Sequence, residues 1–138
     1  MIVLARPLAL FLAEARRRQP NEACGLFGGR PGRIMSFYAC ANVDQSPFTY
    51  RIDPARILSV LRQMEAAGQS LVAIGHSHPT TPAVPSQTDV REAHYPGCLY
   101  LIASLRAETP EVRGFWIDQG QVVEEPLEVT GGPSSRAR

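Results

Sequence analysis

The run Leu71-Val72-Ala73-Ile74-Gly75-His76-Ser77-His78-Pro79 decides how this chain is read. Leu71 to Gly75 is continuously apolar, of strand length, with no polar alternation. That pattern suits a strand buried on both faces, as in a sheet with cover on each side. The strand ends on two of the three histidines in the chain. Residues i and i+2 of a strand point to the same face, so His76 and His78 can aim their imidazoles at one point. Pro79, Pro82 and Pro85 keep the next segment irregular. Ser86 then caps a helix that runs to about His94 and carries Asp89 in its first turn.

Working outward from that strand, Pro7 to about Arg18 reads as an amphipathic helix, with Arg16, Arg17 and Arg18 at its C-terminal end. Cys24 to Phe27 reads as a short strand, and Gly28-Gly29-Arg30-Pro31-Gly32 as a turn. Ile34 to Val43 is the return strand of a hairpin. Phe48 to Ile52 alternates and is rich in β-formers, so it reads as a further strand. Asp53 then caps a helix with Pro54 at its first position. Its buried stripe is expected at Ile57, Leu58, Leu61 and Met64, and Gly68 ends it. Leu99 to Leu105, Val112 to Asp118 and Val122 to Val129 complete the strands. The expected fold class is α/β: a single-domain mixed β-sheet flanked by helices. The domain is expected over residues 1–129, with 130–138 a polar, disordered tail.

The 138 residues suit one domain that needs no disulfide or structural metal to fold. Basic and acidic side chains number 14 and 13. That near balance gives no electrostatic footprint for nucleic acid or an anionic membrane. Cys24, Cys40 and Cys98 form no CxxC pair, so a disulfide framework and a cysteine-ligated zinc site are both disfavoured. They read as buried apolar residues in a reducing, cytoplasmic setting. The apolar run Leu8 to Ala13 reads as helix and not as a cleaved signal, because only Arg6 precedes it and its apolar residues keep helical spacing. No segment reaches the length of a membrane-spanning helix. The sequence leaves the oligomeric state open, a homodimer included.

Two neutral imidazoles and one carboxylate make a common catalytic zinc set, with the fourth position left for water. His76, His78 and Asp89 are the candidate ligands. A hydrolase also needs a carboxylate to take and return a proton, and Glu22, at the mouth of the first hairpin, is the candidate. Each part has a plainer reading. Ser86-x-x-Asp89 fits a capping box, and an isolated His-x-His is often incidental. His94, alone at a helix end, reads as a surface residue. The joint occurrence favours the metal site.

The set His76-Ser77-His78-Pro79, Ser86-x-x-Asp89 and the upstream Asn21-Glu22-Ala23-Cys24-Gly25 resembles the motif of the JAMM (MPN+) metalloprotease family. The resemblance extends over nearly the whole chain, to about Val129. It implies a JAMM/MPN, cytidine-deaminase-like fold, a single-domain mixed curved β-sheet flanked by helices, with Zn²⁺ held by His76, His78, Asp89 and water. It implies that Glu22 is the general acid/base and that Ser86 donates to the oxyanion. The implied activity is hydrolysis of a peptide or isopeptide bond after the C-terminal glycine of a ubiquitin-like protein. The compactness of the chain resembles the bacterial and archaeal members acting on small sulfur-carrier proteins (ThiS/MoaD-like), which release cysteine or a conjugated protein. A non-catalytic MPN-type interaction scaffold is the alternative, disfavoured because no ligand is missing. A zinc base deaminase is excluded by the lack of His-x-Glu and Pro-Cys-x-x-Cys.

Overall fold

The computed structural model describes residues 1–131, so most of the expected disordered tail lies outside the described residues. The elements are β1 (Ile2–Leu4), α1 (Ala5–Arg18), β2 (Cys24–Arg30), β3 (Arg33–Cys40), α2 (Pro54–Ala66), β4 (Ser70–His78), α3 (Gln87–Arg91), β5 (Leu99–Ser104), β6 (Glu111–Asp118), β7 (Gln121–Glu125) and β8 (Glu128–Thr130). All eight strands join one mixed sheet in the order β7-β6-β5-β4-β2-β3-β1-β8. β4 lies at its centre, antiparallel to β2 and parallel to β5.

The sheet must curl, and chain length shows why. β7 and β8 sit at opposite ends of the strand order, yet only Pro126 and Leu127 separate them. Eight strands laid flat would put those edges roughly 34 Å apart at the usual interstrand spacing. The short link reaches about 11 Å at most. The sheet therefore bends round until its edges approach, as a curved half-barrel. The Met1 ammonium donates to Glu125 at 2.9 Å and to the Pro126 carbonyl at 3.0 Å, and so ties β1 to this closing link. Pro126 is also why the single strand expected over Val122 to Val129 is two strands on different edges.

The two sheet faces bury separate cores, and the period-2 alternation assigns residues to them. Cys24, Leu26, Ile74, Tyr100 and Ile102 pack with Val60 and Met64 of α2. Phe27, Ala73, Leu99, Leu101 and Ala103 pack with Phe11 of α1. Helical cover on both sides explains why β2, β4 and β5 read as unbroken apolar runs. At the centre Gly25 pairs with Gly75 across β2 and β4. A Cβ at Gly75 would lie 2.6 Å from the Phe27 ring and 3.1 Å from Phe11, and one at Gly25 would strike Phe37. The hollow left by the two glycines is filled by the mutually packed rings of Phe11, Phe27 and Phe37.

Four local expectations are corrected. Phe48 to Ile52 is not a strand. The Ser46 hydroxyl accepts from the Phe48 and Thr49 amides, and Asn42 binds the backbone of Thr49 and Arg51. These side-chain bonds replace the ladder a strand would need. Gly28 and Gly29 belong to β2, at a register shift, and the turn is only Pro31-Gly32, with Gly32 at φ +80°. There Gly29 packs so closely on the Arg33 backbone that no side chain fits. In α2 the inward stripe is Ile57, Val60, Leu61 and Met64, whereas Leu58 is 49% exposed. α3 ends at Arg91 and does not reach His94: Glu92 is its C-cap, and the Tyr95 amide donates to the Tyr100 hydroxyl at 3.1 Å instead of to a helix carbonyl.

Candidate metal centre and active site

Strand β4 carries His76 and His78 on the face that packs against α2. The Pro79–Pro85 loop then returns the chain to the N-terminus of α3. The loop is anchored: Ser104 Oγ donates to the Thr81 carbonyl at 2.6 Å, and Ala83 is fully buried. At α3 the capping box is present, with Asp89 N–H donating to Ser86 Oγ and Ser86 N–H donating to Asp89 Oδ2, each at 3.0 Å. Capping and ligand geometry coexist here. Asp89 uses one oxygen both to close the helix and to face the histidines. Ser86 accepts through its oxygen and keeps its own O–H hydrogen available to donate.

His76, His78 and Asp89 meet in a buried cluster whose donor atoms could hold a metal ion. His76 Nε2 and His78 Nε2 are 3.2 Å apart, and each lies 3.0 Å from Asp89 Oδ2. A tetrahedral zinc with ligand bonds of about 2.0–2.1 Å would hold neighbouring donors about 3.3 Å apart, so the spacing fits. Protonation points the same way. His78 Nδ1 lies 2.8 Å from the Pro82 carbonyl, which can only accept, so Nδ1 carries the hydrogen. Neutral His78 then turns a bare Nε2 lone pair towards Asp89 Oδ2. Two acceptors at that distance require a proton or a metal ion between them.

The electrostatics follow from burial and these contacts. Burial pushes His76 below the ordinary histidine range. Burial acts the same way on His78, but the hydrogen bonds to Asp89 and Pro82 outweigh it and the net shift is upward. Burial would raise Asp89, yet the hydrogen bonds with His76 and His78 hold it well below the usual carboxylate range.

Glu22 is brought to the same place by strand register. Cys24 is paired with His76, and the ladder continues one step further through Ser77 N–H to the Ala23 carbonyl at 3.0 Å. Glu22 is only 3% exposed, and its Oε1 has no hydrogen-bond partner among the described residues. Burial, with help from the nearby Asp89 and Asp44 charges, pushes its carboxyl up to about 8, against an opposing pull from His78. A positive charge bound at the cluster would favour the ionised carboxylate and lower this value.

Three contributors were not legible in the sequence. Tyr50 stacks on His76, ring centroids 4.5 Å apart and nearly parallel. In the sequence it was only one β-former of the strand expected over Phe48 to Ile52. The Pro82 carbonyl, which orients His78, has no side-chain signal. The Ser77 hydroxyl accepts from the Ala23 amide at 2.8 Å and stitches the Glu22 segment to β4. On the far side of Tyr50 from His76 lies a cavity of about 560 Å³, lined by Tyr50, Ile52, Ile57, Leu71 and Tyr100 with Thr49, Arg51, Thr88 and Glu92 among its polar members; none of the candidate ligands lines it. His94 is on the surface, as expected, next to Glu92. Cys24, Cys40 and Cys98 are free and buried, and burial pushes the Cys24 thiol up to about 12, which leaves it inert.

The fold and the cluster define a JAMM-type domain. The family described as prokaryotic homologs of the JAB domain matches residues 5–118, so the chain belongs to that family, as a hydrolase acting on peptide bonds. The chain is 39% identical over 132 residues to the CysO-cysteine peptidase of Mycobacterium tuberculosis, covering 94% of this chain and 90% of that protein. It is also 39% identical over 112 residues to a probable TtuB-protein conjugate cleaving protease of Thermus thermophilus, covering 80% and 72%. A protein of Desulfitobacterium hafniense solved in solution superposes with a TM-score of 0.88 at 37% identity, over 100% of this chain and 99% of the other. No helix among the described residues is long and apolar enough to cross a membrane.

Proposed function

We propose that the chain is a zinc-dependent peptidase that cuts the bond after the C-terminal glycine of a ubiquitin-like or sulfur-carrier protein. His76, His78 and Asp89 hold the ion, Glu22 is the general acid/base, and Ser86 donates to the oxyanion. The observation that carries this reading is the convergence of two imidazole nitrogens and one carboxylate oxygen within 3.0–3.2 Å. Zn²⁺, when bound, polarises the scissile carbonyl and lowers the pKa of water.

The rest falls to the chain. Pro82 and Tyr50 fix the two imidazoles, which keeps their Nε2 atoms aimed at one point. Glu22, buried with a free oxygen, takes the proton of the attacking water and returns it to the leaving nitrogen. The Ser86 hydroxyl hydrogen stabilises charge on the carbonyl oxygen, an effect worth a few kcal/mol in a dry site. The apolar cavity beside Tyr50 receives the residues preceding the scissile glycine. One chain supplies every one of these groups.

The long match to a peptidase named for CysO-cysteine favours a carrier–cysteine bond, with a carrier–lysine isopeptide as the second substrate. Three free cysteines suit a cytoplasmic enzyme. The test is incubation of the zinc-loaded protein with a panel of carrier–cysteine and carrier–lysine conjugates, read by mass spectrometry. The expected product is a carrier ending in a free glycine carboxylate. Intact conjugates across the panel would reject the proposal.

A further inference from the structure

The peptide unit joining Glu22 to Ala23 is gripped by side chains at both ends. Its oxygen accepts from the Asn42 amide at 3.1 Å, and its N–H donates to Ser77 Oγ at 2.8 Å. The N–H of Glu22 itself donates to the Ser46 carbonyl at 2.8 Å. The Glu22 N–H, the Glu22 carbonyl and the Ala23 N–H are thereby tied down, while Oε1 of the Glu22 carboxyl has no partner among the described residues.

Asn42 is the residue that links this grip to the loop following β3. Its NH₂ donates to the carbonyls of Glu22 and of Thr49, the latter at 2.9 Å. Its Oδ1 accepts from the amides of Asp44 at 3.0 Å and Arg51 at 3.1 Å. Two acceptors face the nitrogen and two donors face the oxygen, so the amide has only one sensible orientation. Three of the four bonds stay within the loop and would suffice to shape it. The fourth leaves the loop and reaches the residue that carries the proton chemistry.

We propose that Asn42 is a positioning residue for Glu22, holding its peptide so that the carboxyl meets the reacting atoms in register. The proposal rests on the reading of Glu22 as the general acid/base. A displacement of about 1 Å at such a group can cost on the order of 10²-fold in rate. The loss falls on kcat, because Asn42 touches neither substrate nor the ligand cluster.

Asn42→Asp is the test. It is isosteric and keeps an oxygen for the Asp44 and Arg51 amides, but it cannot donate to Glu22 or Thr49. Phe48→Ala is the loop control, because it removes an exposed ring from the same loop and none of the four Asn42 bonds. For Asn42→Asp, kcat on a cleavable conjugate should fall about 100-fold, with KM within a few-fold of wild type. Zinc stoichiometry should be unchanged. Amide hydrogen exchange at Glu22 and Ala23 should accelerate at least roughly tenfold in zinc-free protein, a readout independent of turnover. Phe48→Ala should leave all of these near wild type. Asn42→Ser, too short to reach Glu22 and uncharged, should give the same split if the aspartate variant does not fold.

Wild-type kcat in folded Asn42→Asp, or equal losses in Asn42→Asp and Phe48→Ala, would overturn the proposal while leaving Glu22 in place. Wild-type turnover by Glu22→Gln would instead remove the reading of Glu22, and the proposal with it.

Discussion

Replacing Glu22 by Gln keeps size and shape and removes one ionisation. The carboxyl moves from an ordinary 4.5 to about 8 in the fold, chiefly through burial. Below pH 4.5 it is protonated in both folded and unfolded chains and contributes no pH dependence. Between pH 4.5 and 8 the unfolded chain releases the proton and the folded chain keeps it, so stability falls as pH rises. Above about pH 8 the loss is complete. Full conversion of that displacement would be a ceiling of roughly 5 kcal/mol. Water entry and local relaxation at the end of a strand cut it to about half, roughly 2–3 kcal/mol. Glu22→Gln carries no such loss. With chelator present to keep the protein metal-free, its melting temperature should equal that of wild type near pH 4. At pH 8.5 it should exceed wild type by roughly 6–9 °C, at about 3 °C per kcal/mol for a chain of this length. Thermal melts of both proteins across that pH range are the assay. A constant difference between them, or one that shrinks as pH rises, would refute the buried, unpartnered carboxyl.

Other expectations follow from the core and the ligand cluster. Gly75→Ala places a methyl 2.6 Å from the Phe27 ring; it should cost about 1–3 kcal/mol in denaturant unfolding, partly recovered by adding Phe27→Leu. In α2, Val60→Ala should destabilise by about 1–3 kcal/mol, while Leu58→Ala should stay within about 0.5 kcal/mol. The reverse order would contradict the assigned helix face. Zinc at about 100 times its dissociation constant should stabilise the wild type by about 2.7 kcal/mol and should not stabilise Asp89→Ala. That stabilisation should fade as pH drops through the raised His78 titration, because the ion and the proton compete for the same Nε2.

The site was legible wherever chemistry is written in side chains at fixed local spacing. His76 and His78 share a strand face by period alone, and Ser86 and Asp89 share a helix turn. Both relations survive folding because they are local. Glu22 was legible as a candidate at the mouth of the first hairpin, but its approach to the cluster was not, since that depends on the register that places Cys24 opposite His76. The misreadings have a common cause. Phe48 to Ile52 has strand composition, but Asn42 and Ser46 satisfy the backbone there and pre-empt a ladder. Leu58 lost its expected inward place to Val60 because the sheet lies on one side of α2, a direction that periodicity alone does not supply. The curl of the sheet was expected from the family, and its physical cause is the two-residue link at Pro126, which sequence spacing did not isolate. Carbonyl and peptide contacts such as those of Pro82 and the Glu22–Ala23 unit have no side-chain signature and emerge only once the strands are in place.

The measurement that bears most directly on a metal-dependent cut made by this cluster is a zinc titration with turnover read in the same samples. Wild type, Asp89→Ala and Glu22→Gln are each titrated with Zn²⁺ against a competing chelator and then given a carrier–cysteine conjugate. Wild type and Glu22→Gln should bind a single equivalent with matching affinity, and Asp89→Ala should bind far more weakly. Only wild type should release the carrier. Cleavage by Glu22→Gln at the wild-type rate, or tight zinc binding with intact cleavage in Asp89→Ala, would contradict the account.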